Sequence, residues 1–328
     1  MQTQLTTGRP TPPVPGGRRR DRGDHLTSRR ETVRDRLTPL WLLSPAMIVI
    51  GTLTIVPVLL LVASSFTDYD QRSLFTGAFD LVGLRQYLEV FSDAEFWWAT
   101  ILTVAFTVAM VAATIIVGMA VAQLLTRCSR PVRHVVTVVL VLAWAMPNVA
   151  SSVVWTWLFQ PGYGVVNWLL EQLVVFGDTS YLDWRQSPVL AFLSVWLLVV
   201  WQAVPFVALT LYAAQTQIPA ELLEAARLDG AGEWRMYRSI VLRILRPTLL
   251  LLVVLSTIWD FNVFNQIWLV TQGGPDGATT TLGVYTYRTA FVSFGIGKGA
   301  AISTVTTVLL LILTMIYVRR LVRSGEEL

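Results

Sequence analysis

Six apolar runs, near residues 40–66, 99–126, 135–158, 187–213, 248–271 and 299–318, limit what this chain can fold into. Five carry no charged side chain, and the fifth in order holds Asp260 alone. Runs of about 20 apolar residues match the roughly 30 Å of hydrocarbon that a helix must cross. Inside lipid every backbone amide has to be satisfied within a helix or a closed barrel. The chain therefore reads as an all-α, polytopic membrane protein with six transmembrane helices. Only 14% of its residues are charged, whereas a soluble domain carries about 25%. The single Cys128 excludes an intramolecular disulfide and a cysteine-based metal cluster. His25 and His134 are too few and too far apart in sequence to suggest a metal site.

Charge sets the expected orientation. Residues 1–39 are polar, Pro-rich and Arg-rich, the composition of a disordered tail. The apolar run that follows is too long for a signal peptide and reads as an uncleaved first span. Twenty basic residues fall in the tail, the 127–134 link, the 214–247 loop and the C-terminal end, with 321–328 a short second tail. Arg72, Arg85, Arg185, Arg288 and Lys298 fall on the other side. Basic loops stay inside, so both termini and the 214–247 loop are expected in the cytoplasm, and the basic excess reports topology rather than nucleic acid. The first outer loop is acidic, with Asp68, Asp70, Asp80, Glu89, Asp93 and Glu95. Trp97, Trp98, Trp155, Trp157, Trp184 and Trp268 fall near outer ends of spans. They fit an interfacial aromatic belt or, for one or two of them, a cavity wall that stacks on a sugar ring. After the third span, Gln160 to Gly164 form a turn cluster, and Trp168-Leu169-Leu170 can lie along the interface.

The 214–247 loop is charged and helix-prone between two apolar neighbours. Pro219 suits a first helical turn, Ala220 to Leu228 are mostly good helix formers, and Asp229-Gly230 reads as a stop. A second helix is expected from about Gly232 to Leu245, with Pro247 opening the next span. Leu222, Leu223, Ala226 and Leu228 give the first helix an apolar side; Glu221, Glu224 and Arg227 give it charge. Such a helix fits a groove of another protein or rests on the lipid surface, and physics alone favours neither.

Glu224-Ala225-Ala226, then Asp229-Gly230-Ala231, then Tyr237, Ile240, Leu242 and Pro247 resemble the EAA loop of ABC importer permeases. Arg243 departs from the family's usual first proline there, which suggests a straighter second helix. Val82 to Tyr87 with Phe96-Trp97, Phe261 to Ile267, Thr271 to Pro275 and Gly299 to Ser303 resemble the carbohydrate-uptake branch over about residues 40–320, most of all the first of two paired permeases. The resemblance implies a type I importer permease fold in a bacterial cytoplasmic membrane. It also implies a second permease, two copies of an ATP-binding subunit and an extracellular or periplasmic binding protein. Glu224, Ala225, Ala226, Asp229, Gly230 and Ala231 would dock the ATP-binding subunit, and its closure would rock the spans between inward- and outward-facing states.

Gly297-Lys298-Gly299 lacks the spacing of a phosphate-binding loop. No catalytic set is visible, so the chain reads as a non-enzymatic subunit that binds no cofactor, with ATP and Mg on partner subunits. Asp260, the acidic residue inside a span, is read near the middle of span five. An intramembrane carboxylate usually faces a bundle interior or a wet cavity. With Trp259, Phe261, Asn262 and Asn265 it forms a candidate substrate path, because amides offer donors and acceptors to hydroxyls; a purely structural hydrogen bond is the other reading. Pro147 interrupts span three, to shape a cavity or simply to pack. A permease for glycerol phosphate or a polyol, or an ion-coupled secondary transporter using Asp260, are the alternative functions.

Overall fold

The computed structural model describes residues 33–173 and 177–323. The two expected tails, apart from a few helical residues at their inner ends, lie outside that range. In chain order the helices are α1 Val33–Ser64, α2 Gln71–Thr76, α3 Arg85–Ser92, α4 Ala94–Arg127, α5 Arg130–Trp144, α6 Asn148–Leu158 and α7 Val165–Gln172. There follow α8 Pro188–Gln215, α9 Ala220–Leu228, α10 Glu233–Met236, α11 Leu242–Phe261, α12 Asn265–Val270, α13 Leu282–Tyr287 and α14 Ile296–Arg323. A single antiparallel bridge, Thr67 with Leu81, is the extended pairing among the described residues. Among the described residues, five helices or helix runs are long and apolar enough to cross a membrane: Leu42–Ser64, Ala94–Arg127, Pro188–Gln215, Glu233–Phe261 and Ile296–Arg319. The pair α5 and α6 makes a sixth crossing if it is one bent span.

The described residues fall into two units, one ending at Ile55 and the other beginning at Val56. In the second, α4 packs along α8. Asp93 starts α4 by accepting the Glu95 backbone N–H at 3.0 Å, one of the donors a helix start leaves unsatisfied. The buried face of α4 then carries small or hydroxylated residues, Thr103, Thr107, Thr114, Gly118 and Ala122. Small side chains let membrane helices approach closely, where packing rather than hydrophobicity holds them. At Gly118 a Cβ would stand 2.5 Å from Val207 Cγ1. Thr103 Oγ1 donates to the Ala99 carbonyl at 2.7 Å and accepts the Leu282 N–H at 2.8 Å, tying α13 to α4.

Three features differ from or refine the expectations. The third span is broken at Pro147, the interruption the sequence pointed to. α5 ends at Trp144, Pro147 precedes α6, and the two halves meet at 99°; the proline lacks an N–H and disfavours helix in the residue before it. The fifth span is not 248–271: α10, a wider π-type turn at Tyr237–Val241 and α11 run on from Glu233 to Phe261. Pro247 lies inside that run instead of opening it, and a π-type turn at Tyr237–Val241 precedes Arg243. Asp260 consequently sits at the end of α11, before a break at 262–264 and the short α12, not in mid-helix. Third, the tryptophans divide. Trp97, Trp98 and Trp157 are half exposed, as a belt requires, but Trp184 is buried, donating Nε1–H to Asn167 Oδ1 at 2.7 Å.

On the predicted outer side, Asp93 binds three elements together. It caps α4, accepts the Tyr285 hydroxyl at 2.6 Å from α13 and pairs with Lys298 at 3.0 Å from α14. Burial works to raise the Asp93 carboxyl, but the hydrogen bonds from Tyr285, Lys298 and the Glu95 amide outweigh it and hold the group below its ordinary value.

Candidate functional site

The loop helix α9 ends in a way that accounts for Gly230 and Ala231 of the Asp-Gly-Ala segment. Gly230 takes φ +77°, the left-handed region open to glycine without steric cost. Its N–H donates to the Arg227 carbonyl at 3.0 Å, and the Ala231 N–H reaches back to the Ala226 carbonyl at 2.9 Å. These two bonds are the Schellman closure, which satisfies carbonyls that a helix end leaves open. Ala226, Gly230 and Ala231 therefore build the turn. Glu224, Ala225 and Asp229 are exposed, and Leu228 is 90% exposed. Leu222 and Leu228 leave the helix an exposed apolar side beside those charges. Arg227 turns away from that face and pairs with Glu233 at 3.2 Å; Glu233 also meets Arg127 of α4 at 3.5 Å. Arg133 braces the neighbouring link by donating to the Leu125 and Cys128 carbonyls, at 2.9 and 2.8 Å, and lies over the Tyr212 ring.

The second feature is a cavity of about 510 Å³ among α5, α6, α8, α11 and α12. Trp259, Asp260, Asn262 and Asn265 all line it. Phe261 does not: it is 6% exposed and packs with Val90, Phe96 and Ile302 in a core cluster, so it leaves the set of substrate-path candidates. Helical geometry explains the split, since adjacent residues point about 100° apart around an axis of 3.6 residues per turn. Asp260 is 6% exposed and its Oδ2 has no hydrogen-bond partner. Asn262 spends one Nδ2 donor on the Ile258 carbonyl at 2.7 Å.

The sequence reading missed the polar wall opposite. Gln202 of α8 donates to Asn148 Oδ1 at 2.9 Å and to the Met146 carbonyl at 3.2 Å, and accepts from Gln266 at 3.2 Å. The bend at Pro147 frees the Met146 carbonyl, and Gln202 answers it, so the proline does shape the cavity. A glutamine inside an otherwise apolar span was the available signal. Trp144 and Trp259, each against Phe206 at 6.0 and 5.3 Å, supply aromatic walls. Among the described residues, no arginine or lysine lines this cavity.

A bundle of apolar helices around a polar cavity, with an exposed helix at one end of the same chain, defines a membrane transport component. The chain belongs to the binding-protein-dependent transport system inner membrane component family, whose model matches residues 114–325. It is 42% identical over 265 residues to the diacetylchitobiose uptake system permease protein of Streptomyces coelicolor, covering 80% of each chain. It is 33% identical over 297 residues to the trehalose/maltose transport system permease protein of Thermococcus litoralis, covering 90% of this chain and 97% of that one. In structure it matches a chain of a bacterial ABC transporter involved in the import of the acidic polysaccharide alginate. The TM-score is 0.75 at 20% identity, over 89% of this chain and 97% of that one. The fold is that of a type I importer permease, and the chain is a multi-pass, non-enzymatic permease component of an ABC importer. Membership sets the ion-coupled secondary transporter aside.

Proposed function

We propose that this permease carries a neutral sugar, a mono- or oligosaccharide, into the cell by alternating access. The cavity beside Asp260 carries the reading. Amides of Gln202, Asn148, Asn262, Asn265 and Gln266 and an unpartnered carboxylate oxygen suit sugar hydroxyls, and two tryptophans offer faces for a ring. The absence of basic side chains among the described residues of its wall disfavours glycerol phosphate, and the relatives above are named for sugar uptake or transport. The importer comprises a second permease paired with this one, two copies of an ATP-binding subunit that hold ATP and Mg, and an extracellular or periplasmic binding protein. This chain binds no cofactor. Both termini and α9 face the cytoplasm, and Glu224, Ala225, Leu228 and Asp229 dock the ATP-binding subunit on the turn that Ala226, Gly230 and Ala231 build. The test is uptake by the reconstituted importer. Asp260→Asn and Gln202→Leu should each cut uptake of a neutral disaccharide at least tenfold, a loss of about 1.4 kcal/mol, without loss of the ATP-binding subunit. Unchanged uptake in both variants overturns the cavity assignment. Glu224→Arg should abolish uptake while insertion persists; normal uptake overturns the docking role.

A further inference from the structure

Behind α9, away from its exposed face, lies a second cavity of about 450 Å³. Arg127, Arg133 and Arg227 line it, with Glu233 as its one acidic residue. Gln215 also lines it, is 9% exposed, and its Nε2 has no hydrogen-bond partner. A buried amide without a partner beside three guanidinium groups is a donor set in want of an acceptor. Arg133 has no carboxylate against it, and the two pairs that Glu233 makes are more than half exposed, so a stronger anion can displace them.

An apolar groove of about 560 Å³ opens next to it along α4, walled by Ile116, Met119, Ala120 and Trp234. Gln123, Arg127, Glu233 and Tyr237 line both hollows. The groove continues the exposed apolar face of α4 that Val108 and Ile116 begin, a face that lipid covers in a membrane. Trp234, 72% exposed, walls the apolar groove and stacks on Tyr237, which lines both hollows; tryptophan is enriched at membrane interfaces. Polar and apolar hollows joined end to end match a molecule with an anionic head and a hydrocarbon tail.

We propose that an anionic phospholipid binds here, its phosphate among Arg127, Arg227 and Gln215 and one acyl chain along Ile116, Met119 and Trp234. Bound there, it ties the end of α4 to the back of α9 and makes the order of that helix depend on membrane composition. Assignment to the inner leaflet rests on the orientation proposed above; the binding itself does not.

The test is native mass spectrometry of the whole, delipidated importer titrated with phosphatidylglycerol or phosphatidylcholine. One phosphatidylglycerol per permease should bind saturably, in preference to phosphatidylcholine. Each basic side chain near the surface contributes about a factor of five, so the double variant Arg127→Gln with Arg227→Gln should bind about 30-fold more weakly. Lysine at both positions should keep most of the binding, which separates lost charge from a misfolded loop. Met119→Trp, which fills the groove and leaves charge alone, should also weaken binding. Equal binding of the two lipids, or unaltered binding in both the glutamine and the Met119→Trp variants, overturns the proposal. Loss with glutamine but not with Met119→Trp, together with competition by excess inorganic phosphate, assigns the cavity to a soluble anion and overturns the lipid.

Discussion

Substitution of Gly230 separates the backbone argument from a simple contact argument. The residue holds φ +77°, and a Cβ built on it meets nothing within 4 Å. A side chain there clashes with no neighbour in this chain, so its cost is torsional. For alanine in the left-handed region that cost is about 1–2 kcal/mol, and asparagine visits the region more readily. A β-branched residue is a genuine outlier there. At about 1.4 kcal/mol per factor of ten, Gly230→Ala shifts the ordered-to-frayed ratio of the α9 terminus by roughly 5- to 30-fold. The bonds that open are those from the Gly230 and Ala231 amides. ATP-driven uptake at matched complex levels, with hydrogen exchange over residues 220–231, reads the effect. The expected order of activity is glycine, asparagine, alanine, valine. Alanine is smaller than asparagine, so a purely steric limit at a partner's surface reverses the middle pair. Activity of Gly230→Ala above that of Gly230→Asn refutes the torsional reasoning.

Three further outcomes follow from the packing. Gln202→Leu removes three hydrogen bonds and strands the Met146 carbonyl; at about 0.6 kcal/mol per bond in a membrane, thermal melting in detergent should show a loss of about 2 kcal/mol. Gly118→Val, whose Cβ meets Val207, should cost about 1–3 kcal/mol by overpacking, while Gly51→Val, 3.9 Å from its nearest neighbour, should melt close to the parent. Asp93→Asn should cost about 1–2 kcal/mol by weakening charge-assisted bonds to Tyr285 and Lys298. Because the Asp93 carboxyl is held below its ordinary value of 3.8, its contribution is complete above that pH and fades as pH falls through the lower folded value. The melting difference between parent and Asp93→Asn should therefore shrink in acid and stay constant above neutral pH.

Hydrocarbon thickness is a strong, local constraint: the run at 99–126 lies inside α4, and that at 187–213 begins at the N-cap of α8. The sequence also carried the loop helix, because Pro219 and Asp229-Gly230 bracket α9 by backbone chemistry alone. It failed where tertiary packing overrides local rules. Pro247 has an N-terminal breaker's chemistry, yet α11 runs through it, with Leu245 and Leu252 buried on either side. Window hydropathy did not divide 248–271, since the apolar residues on both sides outweigh Asp260, Asn262 and Asn265 around the break at 262–264. Gln202 and Gln266 were illegible as a pair because 64 residues separate them and only the meeting of α8 with α12 joins them. Phe261 was wrongly grouped with Asp260 because neighbours in sequence need not share a helix face.

The claim that a partner subunit works this chain through α9 has a direct test at Leu228. In the assembled importer with Cys128→Ser, a cysteine at position 228 should crosslink to the ATP-binding subunit. It should also be shielded from a water-soluble maleimide. Free labelling at 228 in the complete complex, with no crosslink to that subunit, contradicts the account.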